Sequence, residues 1–92
     1  MIDTIGYIAA ILTTISFLPQ ALKTIKTRDT SGISLLMYAV FSTGVFLWFI
    51  YGVSILDFPI LIANGITFIF SIIILTYKII NVRIEVKMRK NP

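Results

Sequence analysis

The hydrogen-bonding side chains inside the apolar stretches of this chain are not scattered. Gly6, Ala9, Thr13, Ser16 and Gln20 recur at three- and four-residue steps, as do Asn64, Thr67 and Ser71. On a helix each set lies on one face. A third stripe, Met37, Phe41, Gly44, Trp48 and Tyr51, is aromatic and soft, with a small residue at its centre. Asn64 offers two donors and an acceptor with two lone pairs. Trp48 offers a broad flat face and one N–H. Together they suit a neutral ligand with many hydroxyls and an apolar C–H face, which describes a sugar. The residues by themselves leave a second reading open. Asn and Thr in membrane helices also serve to hydrogen-bond a neighbouring helix, at ~0.6–2 kcal/mol per contact, and Trp also marks the interfacial belt.

Three elements must position these stripes. The apolar runs 5–25, 33–56 and 60–80 are each long enough to cross a hydrocarbon core of ~30 Å, which takes about 20 helical residues. Crossing in sequence, they put the 23–32 loop and the C-terminal tail, 81–92, on one side. Lys23, Lys26, Arg28, Lys78, Arg83, Lys87, Arg89 and Lys90 all fall there, while the other side carries only Asp3 and Asp57. Lys and Arg are retained on the cytoplasmic side, so the N-terminus is expected outside and the C-terminus inside. Removing any one span would scatter the basic residues over both sides. Residues beyond about Ile80 are expected to stay helical for a turn or more and then fray.

The connections carry their own signals. The polar 23–32 segment ends in Ser31 and Gly32, and either Ser31 or Ser34 can cap the second helix. Asp57 is placed to cap the third, and Pro59 suits its first turn, where a missing N–H costs nothing. Gly6 with Ala10, and Gly44, read as points of close helix packing. Pro19 falls inside the first span and removes a backbone hydrogen bond to Ile15, which makes it a kink and a candidate hinge. Asn64 and Trp48 lie 7 and 9 residues from Asp57, so both sit roughly 10–14 Å deep at ~1.5 Å per residue.

Several function classes are excluded. No Asp, Glu, Lys, Arg or His lies in the interior of a span, Lys23 and Lys78 falling two residues from the basic-side ends of theirs, so proton- or ion-coupled transport through an intramembrane charge is disfavoured. A charged substrate would find no countercharge. The chain has no Cys and no His, which removes thiolate chemistry and the commonest metal ligand. The first segment lacks the positive flank of a signal peptide. The net charge of +4 reads as topology and contact with anionic lipid rather than nucleic-acid binding. No metal, nucleotide or other cofactor is implied, and the chain is not expected to be an enzyme. Three helices cannot surround a path for a solute, so transport needs a second copy, inserted the same way up.

Essentially the whole chain, about residues 4–80, resembles the SemiSWEET family, the bacterial half-size relatives of the SWEET sugar transporters in the PQ-loop group. The resemblance rests on Leu-Thr-Thr-Ile-Ser-Phe-Leu-Pro-Gln at 12–20, Lys-Thr-Ile-Lys-Thr-Arg at 23–28 and Ser-Gly-Ile-Ser at 31–34. It continues through Gly44, Leu-Trp-Phe-Ile-Tyr-Gly at 47–52, Pro59-Ile60 and Ala63-Asn64. It implies an all-α membrane protein with three transmembrane helices in spatial order 1-3-2. The functional unit would be a parallel homodimer of six helices around one central sugar site, as full-length SWEETs pair parallel repeats about an axis along the membrane normal. It implies substrate binding by Trp48 and Asn64 and a hinge at Pro19 and Gln20. An outer gate would involve Tyr51 and Asp57, and Phe17, Met37, Tyr38 and Phe41 would wall the inner gate. Some family members place a basic residue just before the acidic one, where this chain has Ile55, so Tyr51 would have to close the outer gate without an ion pair.

The expectation is therefore a single membrane domain, 1–92, acting as a facilitative uniporter for a mono- or disaccharide in the bacterial inner membrane, without a coupling ion. Two alternatives are a small structural or regulatory membrane subunit, and a proton-coupled PQ-loop transporter of another small solute.

Overall fold

The computed structural model describes the backbone of residues 2–90 and the side chains of 3–90. Three helices account for almost all of it: α1 (Ile2–Thr27), α2 (Leu35–Ser54) and α3 (Phe58–Lys90). Each is long and apolar enough to cross a membrane. Their ends lie within a few residues of the expected spans except at the end of α3. That helix runs ten residues past Ile80, because no Gly or Pro interrupts 60–90 apart from Gly65. Arg89 also donates to Glu85 one turn back, at 2.8 Å. At 1.5 Å per residue its 33 residues measure about 50 Å, well beyond a ~30 Å core. The basic tail is thus a helical extension as far as Lys90.

The helix order is 1-3-2. α3 packs against both neighbours, and α1 and α2 do not pack backbone to backbone. They meet through the rings of Phe17 and Phe41, 6.3 Å apart. α2 lies close on α3 near their connection. There Gly52 is buried, and a Cβ on it would stand 2.8 Å from Leu61 N and 3.0 Å from Leu61 Cα. Further along, the rings of Phe46 and Phe68 are 5.1 Å apart. Gly6 meets Pro59 at ordinary contact distance. Gly44 differs from expectation: nothing lies within 4 Å of where its Cβ would be, so within one protomer it marks open space and not close packing.

Local chemistry explains the ends. Ser34 caps α2, accepting from Met37 N at 3.3 Å, and Asp57 caps α3, its Oδ1 accepting from Ile60 N at 3.2 Å. Both α1 and α2 stop on a left-handed residue, Arg28 (φ 56°) and Leu56 (φ 53°). α1 is helical through Pro19.

The core is minimal. Among the described residues the buried apolar side chains are Ala21, Val45 and Ile74, while Ile, Leu, Val and Phe are exposed along every helix. Three buried apolar side chains cannot hold a soluble domain together. The exposed apolar surface is what a lipid environment or a second chain covers, so this is a multi-pass membrane protein.

Candidate functional site

At the end of the bundle away from the basic residues, α1 and the start of α3 enclose a cleft of ≈690 Å³. Its wall from α1 includes Gly6, Ala9 and Thr13, three members of the small and polar stripe, together with Tyr7 and Ala10. Its wall from α3 includes Ala63 and Asn64, with Asp3 and Asp57 towards the outer rim. No basic residue lines it. A second, apolar crevice of ≈220 Å³ opens between the same two helices and is lined by Ile11, Ile15, Ile62 and Ile66. The α1–α3 seam therefore has one side of mixed polar and apolar character and one apolar side.

Asn64 is half-buried. Its Nδ2 donates to Ile60 O, 2.9 Å away on its own helix. Its carbonyl oxygen and second amide hydrogen are not used by any hydrogen bond among the described residues. The same holds along the spans. Thr13 bonds Ala9 O and Ala10 O, Ser16 bonds Thr13 O, Thr43 bonds Ala39 O, and Ser71 bonds Phe68 O. Each of these hydroxyls turns back on its own helix. Within the protomer the polar stripes do not tie one helix to the next, so the helix-bonding reading of Asn64 finds no partner here. Ser71 lies fully buried in the packing, so only the Asn64 end of the α3 stripe reaches the cleft.

Trp48 and Tyr51 are not part of the cleft lining. They stand on α2, each about half exposed, with ring centroids 5.7 Å apart and planes at 83°. At the other end of the molecule, Phe17 and Tyr38 flank Phe41 at 6.3 and 5.6 Å, and Met37 projects from α2 with 72% of its surface exposed. One protomer therefore brings Asn64 together with Asp57, and Phe17 with Phe41. It leaves Trp48, Tyr51 and Met37 on a free face of α2. Pro19 and Gln20 are both exposed on α1.

Two features escaped the sequence reading. One is the Gly52 contact. The other is a polar cluster at the basic end, where Lys78 and Asn81 reach the α1–α2 loop. The only sequence signal for it was Lys78 near the end of the third apolar run and Asn81 just after it.

This architecture defines a class, and the chain's relatives agree with it. The PQ-loop repeat family model matches residues 1–61, and the chain belongs to that family. Within it the chain belongs with the SemiSWEETs. It is 52% identical over 79 residues to the sugar transporter SemiSWEET of Leptospira biflexa, covering 86% of this chain and 93% of that one. It is 48% identical over 84 residues to the sugar transporter SemiSWEET of Escherichia coli, covering 88% and 94%. A crystal structure of SemiSWEET in the inward-open conformation superposes with a TM-score of 0.92 at 42% identity, over 98% of this chain and 97% of that one.

Proposed function

We propose that two copies of this chain, in the same orientation, form a facilitative sugar transporter that works by alternating access. The observation that carries the reading is the cleft. Asn64 presents unused hydrogen-bonding capacity near mid-membrane, beside Thr13, with carboxylates only towards the rim and no basic residue in the lining. Such a wall suits a neutral, hydroxyl-rich solute and offers no coupling site for an ion. The names of the relatives, sugar transporters, support the same solute class.

The second copy completes the site. α1 and α2 leave their polar and aromatic faces unpartnered, and a path for a solute needs walls on all sides. A twofold axis along the membrane normal brings the Trp48 face of one protomer towards the other, so that the sugar meets two Trp48 rings and two Asn64 amides. Pro19 and Gln20 act as the hinge. Tyr51 and Asp57 close the outer side, and Phe17, Met37 and Phe41 the inner side. The basic end faces the cytoplasm, which follows the retention of Lys and Arg on that side. The close match to an inward-open structure supports the same state for this conformation.

The test is counterflow of radiolabelled glucose and sucrose in proteoliposomes, beside Asn64→Ala. Uptake of either sugar that requires Asn64 and no ion gradient is the expected result. A dimeric protein that carries neither sugar would overturn the assignment and favour a structural subunit.

A further inference from the structure

We propose that Lys78 and Asn81 are positioning residues that clamp the α1–α2 loop to α3, so that the segment of α1 beyond Pro19 and the basic end of α3 travel as one body. The inference rests on the alternating-access reading with its hinge at Pro19. Lys78 Nζ donates to Thr30 O at 3.0 Å, and Asn81 Nδ2 donates to Arg28 O and to Thr30 Oγ1, both at 2.9 Å. Among the described residues these are the side-chain hydrogen bonds that join separate elements; the others link residues no more than four apart, within one helix or one turn.

The loop is built to receive them. Thr30 is 1% exposed, although Arg28, Asp29, Ser31 and Gly32 around it are exposed. Arg28 holds a left-handed φ of 56°, a conformation that favours glycine, and its guanidinium lies 5.3 Å from the centre of the Tyr77 ring. Asp29 Oδ1 accepts from Ser31 N, and Thr27 Oγ1 accepts from Asp29 N, so the turn is braced internally. α2 begins just beyond this cluster: Thr30 O also accepts from Ile33 N at 3.0 Å, Ser34 caps its own helix, and Leu36 and Met37 are among the most exposed large apolar residues described.

The mechanical consequence is specific. Higher up, α1 and α3 share only packing, because the polar side chains there bond their own helices. At the basic end, bending at Pro19 cannot carry residues 20–30 away from α3 without breaking all three clamp bonds. The contact free to open is the apolar one between α1 and α2, Phe17 against Phe41, which has no hydrogen bond to lose.

The experiment uses Thr30→Cys/Asn81→Cys in the otherwise cysteine-free chain, reconstituted in proteoliposomes. Before oxidation the variant loses both Asn81 bonds and keeps only the Lys78 bond to the backbone carbonyl of residue 30, and its maximal counterflow rate should fall by about tenfold while the half-saturating sugar concentration stays within about twofold. Oxidation to the disulfide with copper phenanthroline should restore the rate, and dithiothreitol should remove it again. A cross-linked form that stops transport until reduced would show that the clamp opens in every cycle and would overturn the proposal. Equal rates before and after oxidation, or thiols that fail to cross-link in dimeric protein, overturn it as well. If the parent chain carries no sugar, the uniporter reading fails separately. The clamp is then judged by spin labels at Lys26→Cys/Arg83→Cys. A narrow distance distribution that broadens on adding Asn81→Leu supports it, and unchanged width overturns it.

Discussion

Trp48 stands edge-on to Tyr51 one helical turn away, ring centroids 5.7 Å apart. The ring proposed to face the sugar is therefore braced by the ring proposed to close the outer side. An edge-to-face pair contributes ~0.5–1.5 kcal/mol beyond area burial. Tyr51→Ala should weaken sugar binding by about 2- to 10-fold by releasing Trp48, while Tyr51→Phe, which keeps the ring, should bind as the parent does. Trp48 is the sole tryptophan, so its fluorescence on sugar titration reads both variants directly.

Asn64→Ala should cost more than a single hydrogen bond, because a homodimer carries the change twice. One neutral hydrogen bond is worth ~0.5–1.5 kcal/mol, so two give ~1–3 kcal/mol, or about 5- to 150-fold in affinity. The Nδ2 bond to Ile60 O lies within one helix, so dimerisation and thermal stability should barely change. Size-exclusion chromatography and counterflow on the same preparation separate the two effects.

Much of the fold is legible in the sequence because it depends on local or one-dimensional quantities. Span length fixed the three crossings, and the clustering of Lys and Arg fixed which ends lie together. Ser34 and Asp57 were recognisable as caps from their place before apolar runs. What was not legible depends on helix rotation and approach. Gly44 and Gly52 look alike in the chain, yet a Cβ on one meets nothing and on the other meets backbone. Trp48 and Asn64 share a depth, but only Asn64 lines the α1–α3 cleft. Lys78 counted only towards topology and Asn81 gave no signal at all, because their partners lie 48 to 53 residues away.

Gly52→Ala should be among the most damaging small substitutions. Its Cβ would lie 2.8 Å from Leu61 N and 2.9 Å from Ile60 Cγ2, and the backbone atom cannot swing aside. Overpacking typically costs ~1–3 kcal/mol, and a clash with backbone belongs at the upper end of that range. Thermal unfolding in detergent should show a clear drop in Tm. Gly44→Ala, with open space around it, should leave the Tm of the protomer unchanged.

Asp57 has two candidate roles, and isosteric substitution separates them. As the N-cap of α3 it needs an oxygen that accepts from Ile60 N, which Asn also supplies, whereas Ala loses the cap at a cost of ~1 kcal/mol. Asp57→Asn should keep both stability and transport if the cap is its whole contribution, and Asp57→Ala should lose stability. A stable Asp57→Asn variant with slowed counterflow would assign the carboxylate charge to the outer gate.

Transport should be insensitive to protons between about pH 5.5 and 8, since the chain has no histidine, the side chain whose ordinary pKa lies in that window. A protonophore should leave the rate unchanged, and a rate that follows the proton gradient would revive the proton-coupled alternative. The titration with structural consequence lies lower. Asp29 is held below the usual carboxylate range by its hydrogen bonds with Ser31, with a smaller contribution from the Lys78 charge. A depressed folded-state pKa means that the brace is present above the unfolded value and is lost as pH falls through the folded one. Amide exchange at Ser31, corrected for its intrinsic rate, should therefore stay slow through neutral and mildly acidic pH and rise only once the pH has fallen below the ordinary aspartate range. Asp29→Asn, which retains an acceptor oxygen but no charge, should flatten that dependence.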